Sequence, residues 1–175
     1  MEANDYRGRV KPSWCPGCGN HAVLMALKKA MAELNYQTHE TAIVSGIGCS
    51  SRFPFFMSTY GFHTIHGRAL PVAIGLKQAK PEINVIAVGG DGDGLSIGGN
   101  HFIHAGRKNP NITYIMMDNE IYALTKGQCS PTSRQGTITK CNPYAWTADR
   151  LNPVLMALSF NASYVARSHS GNIKQ

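Results

Sequence analysis

Val85-Ile86-Ala87-Val88 runs directly into Gly89-Gly90-Asp91-Gly92-Asp93-Gly94, and this junction constrains the fold more than any other stretch. Four apolar residues without alternation read as a strand buried on both faces, as in a parallel sheet. The strand then breaks into glycines that carry two carboxylates. A second apolar run, Ile112-Thr113-Tyr114-Ile115-Met116-Met117, ends the same way at Asp118-Asn119-Glu120. Residues 97–108 are expected to form one helix between the two strands. This is a βαβ unit with oxygen ligands at the carboxyl ends of its strands, where open α/β sheets bind ligands. The expected fold class is therefore α/β, an open and mostly parallel sheet with helices on both faces.

The residue types at the junction suggest a chemistry. Gly90 and Gly92 let the backbone approach a bulky anion. Asp91 would repel a bare diphosphate, so a hard cation belongs between them. Mg²⁺ takes oxygen ligands, shares them with phosphates and uses one or two protein carboxylates. The competing interpretation is a pair of acidic turns on a generic α/β fold, and Asp-Asn-x-x-Tyr at the second strand end counts against it. A dinucleotide fold would carry Gly-x-Gly-x-x-Gly without an aspartate inside the turn.

A chain of 175 residues suits one domain, 1–175, with 43% hydrophobic residues for its core and residues 1–13 as an extended arm. Only 15% of residues are charged, which points to large subunit interfaces. The net charge of +7 comes from scattered Lys and Arg with no nucleic-acid motif, and no apolar run is long enough for a membrane span. Five cysteines behind a polar N-terminus indicate a reducing, cytoplasmic setting and metal chemistry rather than disulfides.

Along the chain, Asn20 is expected to cap a helix over residues 21–35 whose core face is Val23, Leu27, Ala30 and Leu34, with Lys28 and Lys29 outside. Residues 41–45 read as a strand that ends at Gly46-Ile47-Gly48-Cys49-Ser50. Residues 51–62 form an aromatic loop in which Arg52 needs a partner. A short strand over 62–65 precedes His66-Gly67-Arg68 and a helix over 70–80. Residues 120–144 make a long loop, ordered over 121–128 and mobile over 130–139. Asn152-Pro153 opens a helix to about residue 160. Residues 163–167 read as the last strand, and residues 170–175 as the start of a helix. The C-terminal helix and tail are expected to be missing.

The ordered motifs carry a resemblance. Gly90-Asp91-Gly92 followed by Asn119 resembles the thiamine-diphosphate signature of 2-oxoacid decarboxylating enzymes. Trp14-Cys15-Pro16-Gly17-Cys18-Gly19, Gly46-Ile47-Gly48-Cys49-Ser50, His66-Gly67-Arg68-Ala69 and Leu124-Thr125-Lys126-Gly127-Gln128 flank it in order. Together they resemble the β subunit of 2-oxoacid:ferredoxin oxidoreductases, in particular the 2-oxoglutarate type, over nearly the whole chain.

The resemblance implies the thiamine-diphosphate-binding fold and CoA-dependent oxidative decarboxylation of a 2-oxoacid, with electrons passing to ferredoxin. It implies Mg²⁺ bound by Asp91, Asn119 and the Ile121 carbonyl. It places thiamine diphosphate against Ile47, Gly48, Cys49, Ser50, His66, Gly92, Asp93, Ala123, Leu124, Thr125, Lys126, Gly127 and Gln128. The family usually has glycine at the Ala123 position, where a positive φ would strain alanine. It assigns Cys15, Cys18 and Cys49 to a [4Fe–4S] cluster whose fourth ligand lies further downstream. Cys129 and Cys141 read as unligated thiols. Zinc with His63 or His66 is the competing metal.

His66 either orients or protonates the bound intermediate, or donates a hydrogen bond to the diphosphate. Arg52 and Lys126 are candidates for the distal carboxylate of 2-oxoglutarate. No glutamate matches the position that activates the cofactor, and Glu120 reads as structural. The resemblance implies that a partner α subunit completes the site in an (αβ)n heteromer. Pyruvate as substrate, a non-redox thiamine-diphosphate decarboxylase or synthase, and a zinc-binding interaction domain are the alternatives.

Overall fold

The computed structural model describes residues 1–172. Four parallel strands form its main sheet: β1 (Thr41–Ser45), β2 (Tyr60–His63), β3 (Asn84–Gly90) and β4 (Thr113–Met117), in the order β2-β1-β3-β4. The chain lays β2 on one side of β1 and then returns to lay β3 on the other. The topological direction therefore changes between β1 and β3, and a crevice opens at their carboxyl ends. Ser45 pairs with both His63 and Val88, so the three strands end nearly level, and β3 runs on through Gly89 and Gly90.

Alternation along the central strands divides the core into two layers. Ile43, Ile86 and Val88 face one side and pack with Leu24, Leu27 and Met31 of α1 (Gly19–Glu33), Phe53 and Phe56 of α2 (Phe53–Phe56), and Tyr6 and Trp14. Ala42, Val44, Val85 and Ala87 face the other. There they meet Leu70 and Ala73 of α3 (Ala69–Ala79), with Phe102 and Ala105 of α5 (Gly99–Lys108) packed against them. All five β1 residues are buried, and each large apolar side chain in such a place contributes roughly 1.5–3 kcal/mol. The parallel sheet with helices on both faces matches the sequence expectation.

Several local expectations are corrected. The helix expected from residue 21 starts at Gly19 with Cys18 at its cap, so Asn20 lies inside the first turn and caps nothing. Its buried face is Leu24, Leu27, Lys28 and Met31, while Ala30 and Leu34 are exposed. Both sets have helical spacing, and the direction of docking on the sheet chooses between them. The 1–13 arm is anchored rather than simply extended. Ala3–Tyr6 is a 3₁₀ turn, and the fully buried Tyr6 places its hydroxyl 2.6 Å from the Tyr36 carbonyl and 3.0 Å from that of Met31. The aromatic loop contains a 3₁₀ turn (Ser50–Arg52) followed by α2.

The strand expected at 62–65 lies two residues earlier, where pairing with β1 holds it. The helix expected over 97–108 forms as α5, and a short helix precedes it that the sequence reading did not foresee. α4 (Asp91–Leu95) begins directly after β3, and the backbone breaks at Ser96 (ψ −103°) before α5. The long loop holds a small antiparallel hairpin, β5 (Ile121–Tyr122) with β6 (Gln128–Cys129). Ser130, Thr132 and Ser133 are buried and hydrogen-bonded, against the expectation of mobility.

α6 (Pro153–Ser159) is capped by Asn152, whose Oδ1 accepts from the Val154 and Leu155 amides, as its sequence suggests. Residues 163–167 form no strand. Ser163 is held to Asn109 Oδ1 instead, and β-propensity without a ladder partner makes no strand. The expected helix start at 170–175 reaches only a turn at Ser170 and Gly171, and residues 173–175 lie outside the described residues.

Large apolar side chains stand exposed along the β2 edge and beyond it: Phe55, Tyr60, Phe62 and Ile65, the last 72% exposed. Among the described residues, no helix is long and apolar enough to cross a membrane.

Candidate functional site

Three turns meet at the carboxyl ends of β1, β2 and β3, and one carboxylate joins them. Asp93, in the first turn of α4, is 3% exposed. Its Oδ1 accepts the Ile47 amide at 2.9 Å and the Gly67 amide at 2.8 Å. His66 Nδ1 stands 2.9 Å from the same oxygen, outside hydrogen-bond geometry. Oδ2 has no partner among the described residues. Gly67 adopts φ +73°, which a side chain disfavours, and a Cβ there would meet Ile97 and Gly98 at 2.5–2.6 Å. Asp93, expected at the cofactor, thus directs its carboxylate to the neighbouring turns.

The second half of the site is the end of β4 and the hairpin. Asp91 is 1% exposed, and burial raises its pKa above the ordinary carboxylate range, opposed by hydrogen bonds from Ser130 and Thr132. Thr132 Oγ1 lies 2.7 Å from Asp91 Oδ2 and 2.9 Å from Asp118 Oδ1. One hydroxyl has one proton, so it satisfies one carboxylate and leaves the other facing bare oxygen. A donor set this rich in oxygen and short of protons suits a hard divalent cation.

Asn119 follows Asp118 directly, and its Oδ1 accepts the Ile121 amide at 3.2 Å. Tyr122 donates to the Gly92 carbonyl at 3.1 Å and ties the hairpin to the glycine turn. The ring is so close that a Cβ on Gly92 would overlap it. Glu120, in the left-handed region at φ +61°, pairs with Arg134 at 3.0 Å, and its carbonyl accepts from Ser133. It has the structural role expected of it.

The hairpin turn removes the concern over Ala123. That residue is not at positive φ, and the left-handed position falls at Lys126 (φ +82°), followed by Gly127 (φ +121°). Leu124, Thr125 and Lys126 are exposed at the turn, and Thr125 Oγ1 donates to Gln128 Oε1 at 2.5 Å.

The thiols form the third part. Burial raises the pKa of Cys49, and the nearby Cys18 and Cys15 raise it further, while Arg52 and Lys126 pull it down. Two thiols and both candidate bases therefore act on Cys49 at this end of the sheet. Trp14 Nε1 donates to the Cys49 carbonyl at 2.6 Å and links the Cys15-x-x-Cys18 turn to the β1 turn. The Arg52 guanidinium lies 5.5 Å from the centre of the Phe56 ring, which supplies the expected partner.

Among the described residues, no group of three or more His, Cys, Asp or Glu side chains is arranged to hold a metal ion. Cys15 and Cys18 lie near enough to act on Cys49 but do not form such a group with it. Neither histidine proposed for zinc forms a metal-holding group with them among the described residues. His63 Nδ1 contacts Ser45 Oγ at 2.9 Å and the Ser51 carbonyl at 3.1 Å, and His66 faces Asp93. Cys129 is buried like a small hydrophobe and Cys141 is exposed.

Sequence reasoning found the glycine turns, the thiols and both bases. It missed Ser130, Thr132 and Ser133, for which no local spacing gives a signal. It also missed the linking roles of Trp14 and Tyr122, although both belong to quoted motifs.

Comparison with known proteins places these features in context. Residues 46–175 match the family model "Thiamine pyrophosphate enzyme, C-terminal TPP binding domain". The chain is 47% identical over 168 residues to the 2-oxoglutarate oxidoreductase subunit KorB of Mycobacterium tuberculosis, covering 96% of this chain and 45% of that protein. It is 47% identical over 165 residues to the β subunit of 2-oxoacid:ferredoxin oxidoreductase 1 of Aeropyrum pernix, covering 94% and 52%. Among solved structures it is similar to a 2-oxoglutarate:ferredoxin oxidoreductase from Magnetococcus marinus with 2-oxoglutarate, coenzyme A and succinyl-CoA bound. That match has a TM-score of 0.97 and 49% identity, and covers 99% of this chain and 60% of the other. The chain spans about half the length of the curated relatives it matches.

Proposed function

The chain belongs to the thiamine pyrophosphate enzymes and, within them, to the β subunits of 2-oxoacid:ferredoxin oxidoreductases, and from that premise we propose that it serves CoA-dependent oxidative decarboxylation of 2-oxoglutarate. The observation that carries this reading is the union of two chemistries at one sheet end. An oxygen-rich, proton-poor cluster of Asp91, Asp118 and Thr132 lies beyond β3 and β4, and the Cys49 thiol after β1 has Cys15 and Cys18 near it. A non-redox thiamine enzyme accounts for the first and leaves the thiols without purpose.

Asp91, Asn119 and the Ile121 carbonyl would hold Mg²⁺ against the diphosphate. Gly92, without a side chain, lets the Tyr122 ring of the hairpin close on this turn. When bound, thiamine diphosphate supplies the electron sink for loss of carbon dioxide, and a [4Fe–4S] cluster held in part by Cys15, Cys18 and Cys49 accepts the electrons singly for ferredoxin. Arg52 and Lys126 place positive charge at the same end, which suits the distal carboxylate of a dicarboxylic 2-oxoacid. The exposed apolar side chains around β2 suit the surface of a β subunit that docks an α subunit. The activating glutamate toward the cofactor is assigned to that partner, so activity requires it.

The test is anaerobic purification with bound partners, followed by assay of metal, sulfide and cofactor. The expected result is stoichiometric thiamine diphosphate, Mg²⁺ and about four irons, with turnover of 2-oxoglutarate well above that of pyruvate. Thiamine diphosphate without iron or sulfide would move the chain to non-redox chemistry, and zinc without thiamine diphosphate would refute the reading.

A further inference from the structure

We propose that Asp93 is a positioning residue that sets the tautomer of His66, so that His66 presents the lone pair of Nε2, not a proton, to the cleft. The inference rests on the reading of this cleft as the thiamine diphosphate site. It decides between the two roles that the sequence left open for His66.

The argument begins with Asp93. Its carboxylate is buried, and two backbone amides, one from the β1 turn and one from the β2 turn, already point at Oδ1. His66 Nδ1 is also buried and stands 2.9 Å from that oxygen, with no other partner among the described residues. A lone pair on Nδ1 would be held against a carboxylate oxygen at contact distance, which is repulsive. A proton on Nδ1 turns the same approach into charge–dipole attraction, although the ring does not aim its N–H at Oδ1 as a hydrogen bond requires.

Fixing the proton on Nδ1 leaves Nε2 as the acceptor of the neutral ring. The His66 side chain is 37% exposed although Nδ1 is buried, so the ring is open on its Nε2 edge. The Tyr122 ring is its aromatic neighbour, 6.1 Å away between centroids.

A lone pair in this position is unsuited to donating to a diphosphate. It is suited to a proton-bearing group, namely a substrate hydroxyl or carboxylic acid. His66 therefore accepts or returns a proton at the reacting end of the site, and Asp93 acts through it. Asp93 also explains why these two turns keep their spacing, because one oxygen holds both.

The variant Asp93→Asn separates the two functions. The amide oxygen, held at the Oδ1 position by the two turn amides, still faces His66, and what the variant removes is the negative charge that holds the proton on Nδ1. The primary readout is the ¹⁵N shift of His66 in the intact, ¹⁵N-histidine-labelled complex by magic-angle-spinning NMR, at a pH where the ring is neutral. His66→Gln assigns the signals. The expected result is a protonated Nδ1 and bare Nε2 in the native protein, with the Nε2-protonated tautomer of an unconstrained imidazole gaining population in Asp93→Asn. With it, kcat falls about 10²–10⁴-fold, while thiamine diphosphate affinity and the thermal midpoint stay within a few-fold and a few degrees. In the His66→Gln background, Asp93→Asn should add little further loss.

A native His66 protonated at Nε2 overturns the proposal. So does an Asp93→Asn effect that is equally large without His66, or one that removes thiamine diphosphate binding as fully as Asp93→Ala does. A native complex that binds no thiamine diphosphate would refute the reading of the cleft instead, and the nitrogen shifts would still decide the tautomer.

Discussion

Thr132 Oγ1 lies 2.7 Å from Asp91 Oδ2 across a separation of 41 residues, and it is the contact that closes the loop after β6 onto the metal end of the site. Thr132→Val removes the hydroxyl and leaves a buried carboxylate oxygen without its donor. The expected loss is about 1–3 kcal/mol of stability, read as a lower denaturant midpoint. Thr132→Ser keeps the hydroxyl and should lose less than half of that. Mg²⁺ with thiamine diphosphate should recover most of the loss in the valine variant. Equal midpoints with and without the cofactors would show that Thr132 has no connection to the metal end.

Gly46→Ala tests the junction of turns from the other side. A Cβ at Gly46 would collide with both carboxylate oxygens of Asp93, and it would displace the group that binds the Ile47 and Gly67 amides. Overpacking of this kind costs about 1–3 kcal/mol. Thiamine diphosphate affinity should fall at least tenfold by titration, because both cofactor-facing turns shift together. Wild-type affinity in Gly46→Ala would mean that the turns are held independently of Asp93.

Lys28 gives a prediction for pH. It is 7% exposed on the inner face of α1, where burial lowers its pKa and the nearby Arg7 lowers it further. The folded pKa is therefore below the unfolded one. At pH below the folded pKa both states carry the proton, and the folded chain bears the full penalty. As pH rises through the folded pKa, the folded state releases its proton first, and the penalty fades toward the ordinary lysine value. Lys28→Met should raise the thermal midpoint at pH 7 by about 2–4 °C, the shift that ~1 kcal/mol produces in a chain of this size. The gain should shrink as pH increases. A gain constant in pH would exclude the charge as its cause.

Arg52→Ala addresses substrate choice. A charge-assisted hydrogen bond is worth about 1.5–3 kcal/mol, so its loss should raise KM for 2-oxoglutarate roughly 10- to 100-fold and leave pyruvate kinetics nearly unchanged. An unaltered ratio of the two substrates would remove Arg52 from recognition and leave it as the cation stacked on Phe56.

Much of this protein was legible in its residues because local chemistry determined it. Unbroken apolar runs can only be strands buried on two faces, and β1, β3 and β4 form where those runs stand. Glycines with carboxylates at strand ends allow close backbone approach and cation binding, and Asp91 occupies that place. Asn152 before Pro153 is a cap with few alternatives, and it caps α6. Other features depended on docking. Two helical faces of α1 were equally apolar in the sequence, and only contact with Ile43 and Ile86 selected Leu24 and Met31 over Ala30 and Leu34. The segment at 163–167 had the composition of a strand but no ladder partner.

The sequence by itself determined the sheet, the glycine turns and the thiols, because periodicity, backbone freedom and side-chain chemistry are properties of neighbours along the chain. Only the tertiary structure decided that Asp93 serves two turns beside a histidine, that Thr132 stands between Asp91 and Asp118, and that Trp14 holds the Cys49 turn. Those relations join residues far apart in sequence. They arise when parallel strands end at one level and bring separate turns within a hydrogen bond of each other, and no local pattern records that distance.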